Sequence, residues 1–245
     1  MNRIQLIQEI FSKTDFSNYL EIGCQTGKSF LPVKARNKTA VDPEFKIPIG
    51  RKLKWLFLWP SNVKNKYFQE ESDVFFAKRK EHLLQLKHLD IVLVDGLHNF
   101  RTSLNDTLNS LNYLNPKGLI LLHDCFPPTE AASFPSEFFP TEEEQKSIEG
   151  WSGEWCGDVW KSVVYLIRKY PDFFQSGVID TDFGLGFVLP KSGFKAKEFK
   201  IDEKLFAEID LLTYADMMKD PRGTINLKEA GYAKDIISKI TTGMN

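Results

Sequence analysis

Tyr19-Leu20-Glu21-Ile22-Gly23-Cys24-Gln25-Thr26-Gly27, followed by Val41-Asp42-Pro43, is the stretch that decides the fold. An apolar strand runs into a glycine turn, and an acidic residue closes the next short strand about twenty residues on. A doubly wound α/β domain uses this layout to hold an adenosine-containing cofactor beyond its strand ends. The pattern predicts strands over Leu20–Gly23 and Thr39–Asp42, with Gly27 opening a short helix between them.

Outward from this stretch, strand and helix patterns alternate. Residues 1–13 read as an amphipathic helix with Ile4, Ile7, Ile10 and Phe11 on one face. Residues 44–66 read as an irregular, basic and aromatic insertion carrying Arg51, Lys52, Lys54, Trp55 and Trp59. A strand near Tyr67-Phe68 leads to Ser72-Asp73, a helix N-cap signal, and a helix to Lys87. Ile91-Val92-Leu93-Val94 is a continuous apolar run, as in a parallel strand covered on both faces, and it ends in Asp95-Gly96. A helix over Phe100–Leu114 stops at Asn115-Pro116-Lys117-Gly118, and the strand Leu119–Leu122 ends in His123-Asp124. After a long loop (126–155) come a helix over Val159–Tyr170 and strands at Gly177–Asp180 and Gly186–Leu189. Residues 1–190 form the expected domain, and 191–245 a mainly helical appendage. Such alternation implies an α/β, Rossmann-like, mostly parallel sheet with helices on both faces. Glu21, Asp42, Asp95 and His123-Asp124 then converge on the edge where ligands bind.

Bulk properties exclude several classes. The chain has 245 residues, with 32 Lys and Arg against 33 Asp and Glu, so no global field favours nucleic acid or an anionic membrane. The first residues lack the apolar core of a signal peptide, and Trp55–Trp59 is too short to span a bilayer. Three separated cysteines, Cys24, Cys125 and Cys156, indicate neither a disulfide framework nor a zinc site. The expectation is a cytoplasmic protein without nucleic-acid or membrane partners; a homo-oligomer stays open.

The glycine loop admits three ligands. Gly23 to Ser29 ends in Gly-Lys-Ser but is one residue short of a phosphate loop, and Glu21 would repel a triphosphate. A dinucleotide loop wants glycine at position 25, where this chain has Gln25. S-adenosylmethionine, which has an ammonium, a sulfonium and ribose hydroxyls but no phosphate, fits better. Glu21 suits the cationic methionine end, the turn lets the backbone approach, and Asp42 can accept both ribose hydroxyls.

Together these residues resemble a known family. Glu21-x-Gly23-x-x-x-Gly27, Val41-Asp42-Pro43, Ser72-Asp73-x-Phe75-Phe76 and Val94-Asp95-Gly96-Leu97-His98 are similar to class I S-adenosylmethionine-dependent methyltransferases. So are Asn115-Pro116-x-Gly118 before His123-Asp124, and Gly157-Asp158-Val159-Trp160-Lys161. The resemblance spans residues 15–190. It implies a seven-stranded sheet with an antiparallel last strand and the cofactor over the first strands. It places Ser72-Asp73 near the adenine, beside their plainer reading as a helix cap. The expected cofactor set is Glu21, Gly23, Cys24, Gln25, Thr26, Gly27, Asp42, Ser72, Asp73 and Asp95. It also suggests a pocket-rim role for Trp155, Asp158 and Lys161, although Asp158 is first of all an N-cap candidate.

Methyl transfer to a hydroxyl benefits from a general base. His98 and His123 are the candidates, with Asp95 placed to support an imidazole. A divalent metal is the competing device: in some related sugar and antibiotic O-methyltransferases, acidic groups after these two strands bind one, and Asp95 and Asp124 match those positions. His123 stands where an acidic pair would begin, which makes magnesium less secure. His82 and His88 read as surface residues. The insertion and the 126–155 loop would overhang the pocket. The functional expectation is O-methylation of a small molecule or saccharide. The rivals are a non-catalytic S-adenosylmethionine-binding protein and an NAD(P)-dependent oxidoreductase.

Overall fold

The computed structural model describes residues 1–243. Its strands are β1 (Asn18–Ile22), β2 (Asn37–Val41), β3 (Lys66–Phe68), β4 (Leu89–Val94), β5 (Leu114–Leu122), β6 (Phe174–Ile179), β7 (Leu185–Pro190) and β8 (Leu227–Lys228). They form one sheet in the order β3-β2-β1-β4-β5-β7-β6-β8. The first five pair in parallel, β7 runs antiparallel to β5 and β6, and β8 lies parallel to β6. The architecture is the Rossmann-like α/β class, with β8 added beyond the seven strands expected.

The helices in chain order are α1 (Arg3–Lys13), α2 (Ile49–Leu58), α3 (Ser72–Lys78), α4 (Lys80–Gln85), α5 (Phe100–Leu111) and α6 (Glu142–Ser147). They continue with α7 (Trp160–Lys169), α8 (Glu203–Asp210), α9 (Tyr214–Lys219), α10 (Pro221–Ile225) and α11 (Tyr232–Thr242). Because side chains alternate across a strand, the apolar run of β4 serves two cores. Val92 and Val94 face Leu104, Leu108 and Val163, from α5 and α7. Ile91 and Leu93 face the other way, with Leu6, Ile7 and Ile10 of α1 and Ile236, Ile237 and Ile240 of α11. The C-terminal stretch therefore contributes a strand to the sheet and a helix to its cover.

Several local expectations change. No helix opens at Gly27; the chain makes one bond of helical type, Leu31 N–H to Gly27 O at 3.2 Å, and then meets Pro32. Proline has no N–H and its ring clashes with the preceding turn. Instead the Lys38 ammonium, itself buried, donates to the carbonyls of Phe30 (2.8 Å), Leu31 (3.3 Å) and Val33 (2.8 Å). Half of the expected irregular insertion is helix α2. The helix predicted to reach Lys87 breaks at Arg79 into α3 and α4. Asn115–Gly118 forms a bulge inside β5: Leu89 pairs with Leu114 and Ile91 with Leu119. Asn115 Nδ2 donates to the buried Asp90 across this bulge at 2.6 Å.

Lys38→Met should therefore leave three carbonyls behind the glycine loop without their donor. Urea denaturation is expected to show a loss of roughly 2–4 kcal/mol. An unchanged midpoint would show that water replaces the ammonium.

Candidate active site

A cavity of about 860 Å³ opens beyond the carboxyl ends of β1, β2, β4 and β5. One half is built by the glycine loop. Gly23 has φ +85°, and any side chain there would overlap the Asp95 carbonyl. The close approach is held by Gly23 N–H to Val41 O and Asp95 N–H to Ile22 O, both 2.9 Å. Asp42 is fixed in turn: its Oδ2 accepts the Gln25 N–H at 2.7 Å and its Oδ1 the Glu44 N–H at 2.7 Å. Gly23, Cys24, Gln25, Thr26, Asp42, Ser72, Asp73 and Asp95 all line the cavity. Gly27 turns the chain at φ +69° against Ile47. Helix α3 begins at Ser72 with no side-chain cap, so Ser72 and Asp73 do not serve as its N-cap.

Glu21 is placed otherwise than expected. It is 0% exposed and accepts from Tyr19 Oη at 2.5 Å and Ser29 Oγ at 2.6 Å. Strand alternation puts Tyr19 and Glu21 on one face, where they bond each other rather than a ligand. Burial lifts its carboxyl to about 7. It braces the loop from behind, and it is not among the cavity-lining residues.

Asp106, on α5, was not foreseen. It lines the cavity at the end shared with Ser72 and Asp73, is 1% exposed, and its Oδ1 has no hydrogen-bond partner. Burial pushes its carboxyl up to about 7. Sequence offered one signal, an acid among the apolar positions of an amphipathic helix.

The other half of the cavity gathers charges from four segments. His123 Nδ1 lies 3.1 Å from Asp95 Oδ1 and 2.9 Å from Asp124 Oδ2, aligned as a hydrogen bond to neither. Arg3, from the first turn of α1, reaches Asp95 Oδ2 at 3.3 Å and Asp182 Oδ2 at 2.9 Å, with His123 Nε2 only 2.7 Å from Nη1. Burial works against a charge on His123, whereas Asp124, Asp182 and Asp95 raise its pKa. Burial would also raise Asp95, but His123 and Arg3 bring its pKa below the usual carboxylate value. Both His123 nitrogens face protein groups, Nδ1 toward Asp95 and Asp124 and Nε2 toward the Arg3 guanidinium, whose N–H needs that nitrogen's lone pair, so the ring suits a structural role rather than that of a base. Asp124, Asp182 and Phe183 all have left-handed backbone, at φ +61°, +54° and +60°. Such strain concentrates at functional sites. Arg3 and Asp182 were missed because their sequence separation is 179 residues.

His98 differs. Its Nδ1 lies 2.8 Å from the Trp155 carbonyl and must donate to it, and its ring stacks on Trp155 at 5.2 Å. Nε2 remains, 3.3 Å from Asp124 Oδ2. Nε2 thus turns its lone pair toward another acceptor, and a donor or a metal ion between them would satisfy both. Asp95, His98 and Asp124 each offer a ligand atom, all within 4.8 Å of one another. This mixed nitrogen and oxygen set fits a transition metal better than magnesium. Gly157 (φ +60°) packs where a side chain would overlap the His98 carbonyl. The neighbouring Asp158 and Lys161 lie away from the cavity. Asp158 accepts the Phe100 N–H at 2.6 Å, capping nothing in its own helix, and Lys161 donates to Asp210 O at 2.8 Å. His82 is half-buried, 2.9 Å from Thr39 Oγ1, and His88 lies 3.2 Å from Asp90.

Comparison with known proteins gives the cavity a context. Residues 20–125 match the model of a methyltransferase-domain family. A Staphylococcus aureus structure provisionally described as a caffeoyl-CoA O-methyltransferase superposes with TM-score 0.53 at 15% identity, covering 78% of this chain and 85% of that one. A Podospora anserina methyltransferase bound to S-adenosylhomocysteine superposes with TM-score 0.50 at 18% identity, covering 78% and 80%. No curated protein sequence matches the chain significantly. At these identities the structures establish a shared fold.

Asp106 makes a pH-resolved prediction. Its folded pKa, about 7, lies above the ordinary 3.8, so the folded state binds the extra proton between those values. Stability from this group is full at low pH and lost as pH rises through 7. Asp106→Asn should raise the melting temperature of the ligand-free protein at pH 8 by several degrees and by much less at pH 4.5. An equal change at both values would contradict an unpartnered buried carboxylate.

Proposed function

We propose that this chain is a class I S-adenosylmethionine-dependent methyltransferase that transfers the methyl group to a hydroxyl oxygen of a small molecule or saccharide. The observation that carries the reading is the placement of His98 Nε2 beside Asp124, at the rim of the cavity that holds Asp42 and the glycine loop. Asp42, locked by two backbone N–H groups, would accept the ribose hydroxyls with its remaining lone pairs. Ser72, Asp73 and Asp106 would face the adenine. His98 would take the hydroxyl proton, its tautomer set by Trp155 and the resulting imidazolium stabilised by Asp124. Charge balance supports this: among the described residues the carboxylates of Asp95, Asp124 and Asp182 are met by the guanidinium of Arg3 and the imidazole of His123, which leaves room for a further positive charge. In-line attack on the sulfonium methyl then needs positioning more than further chemistry.

The grouping of Asp95, His98 and Asp124 favours a second reading, in which these residues hold a divalent ion. Such an ion would lower the pKa of the acceptor hydroxyl and orient it. The readings compete for the same Nε2 lone pair, so the residues cannot serve both at once.

Calorimetry should detect S-adenosylhomocysteine binding, weakened on the order of 10- to 100-fold in Asp42→Ala. No binding to the unaltered protein would remove the cofactor assignment. His98→Ala should lower turnover on the order of 10²- to 10⁴-fold while leaving that affinity within about a factor of three. For the base reading, activity survives exhaustive chelation; for the metal reading, it vanishes and returns with manganese.

A further inference from the structure

The balanced charge of the whole chain hides a local imbalance. Between Phe45 and Gln69 there are six cations, Lys46, Arg51, Lys52, Lys54, Lys64 and Lys66, and no acidic residue, in a protein of formal net charge −1. Helix α2 lies within this segment, and none of its residues is fully buried. At about 100° per residue, Ile49, Leu53, Leu56 and Phe57 fall within an arc of roughly 100°. Lys52 borders that arc on one side and Lys54 on the other, while Arg51, Trp55 and Leu58 point the opposite way. Ile49 is 76% exposed, Leu53 61% and Phe57 87%, and Val63 just beyond the helix is 73% exposed; Leu56 at the edge of the arc is 38% exposed, and Leu58 opposite it 49%. The inward side is anchored, with Arg51 donating to Thr26 O, and Asn62 Nδ2 donating to Trp55 O (3.0 Å) and Leu31 O (3.2 Å).

An apolar stripe turned to water on a helix that is otherwise tied down needs a partner. We propose that α2 is a membrane-docking element that lies in the interface of an anionic lipid surface, with Ile49, Leu53 and Phe57 inserted and the lysines at the headgroups. The arrangement is that of an interfacial helix: lysine stems extend from the edges of the apolar stripe toward phosphates. The helix is far too short to cross a bilayer, and no helix among the described residues is long and apolar enough to do so. Charge selects between occupants. A second copy docking symmetrically through α2 would set two all-cationic segments against each other. A negative lipid surface meets both the stripe and its flanks. The surface also adjoins the cofactor half of the cavity, since Lys46 N–H donates to Gln25 O at 2.8 Å and Arg51 holds Thr26.

The test is co-sedimentation of the full chain with vesicles of phosphatidylcholine alone, or with roughly 30 mol% phosphatidylglycerol added, at low and high salt. Binding should require the anionic lipid and weaken with salt. Leu53→Glu/Phe57→Glu and Lys52→Glu/Lys54→Glu should each reduce it on the order of tenfold or more. Both pairs lie on the surface, so unchanged melting temperatures should accompany the loss. Failure of the unaltered protein to bind anionic vesicles at low salt overturns the proposal, as does undiminished binding by both variants. Sedimentation of the unaltered protein as a dimer that Leu53→Glu/Phe57→Glu dissociates would overturn it in favour of a second copy.

Discussion

The structure depends on the close contact between the turn after β1 and the end of β4. Gly23 sits where no side chain fits, so the backbone of the glycine loop lies directly on Asp95 and Gly96. That contact unites two half-sites. On one side the loop presents N–H groups and orients Asp42; on the other Asp95 begins the charged cluster. A side chain at Gly23 would push the loop off Asp95 and part the two halves of the cleft. The family match, residues 20–125, covers this junction, the glycine loop and Asp95, His98, His123 and Asp124.

Around the junction, buried polar groups divide into those already satisfied and those left waiting. Glu21 and Lys38 are saturated by the protein and brace the loop from behind. His123 is enclosed by carboxylates and Arg3, which occupy both of its nitrogens. In contrast, Asp106 Oδ1 has no partner, and His98 Nε2 meets only another acceptor. Burying an unpartnered polar atom costs stability. Groups that carry this cost and face a cavity are the natural points of ligand contact.

Much of this was legible in the sequence, for a physical reason. In a parallel sheet the carboxyl ends of strands gather at one edge, so residues following apolar runs must converge. Asp42, Asp95, His98, His123 and Asp124 were found that way. The direction a side chain takes within a strand was also available in principle, and the spacing of Tyr19 and Glu21 shows it, but the ligand reading of Glu21 overlooked it. Arg3 and Asp182 could not be found, because they enter through tertiary contacts between the first helix and a turn near the end of the sheet. The absent helix after Gly27 could be anticipated from Pro32, but not from Lys38, whose role depends on where the chain folds back. Net charge informed least, since an average near zero says nothing of the cationic, apolar face of α2.

The most direct test of the central claim is a crystal structure of the protein with S-adenosylhomocysteine. The account predicts the ligand in the cleft between β1 and β4, its ribose hydroxyls on Asp42 and its sulfur toward His98. A ligand bound elsewhere, or in that cleft with its ribose away from Asp42, would contradict it.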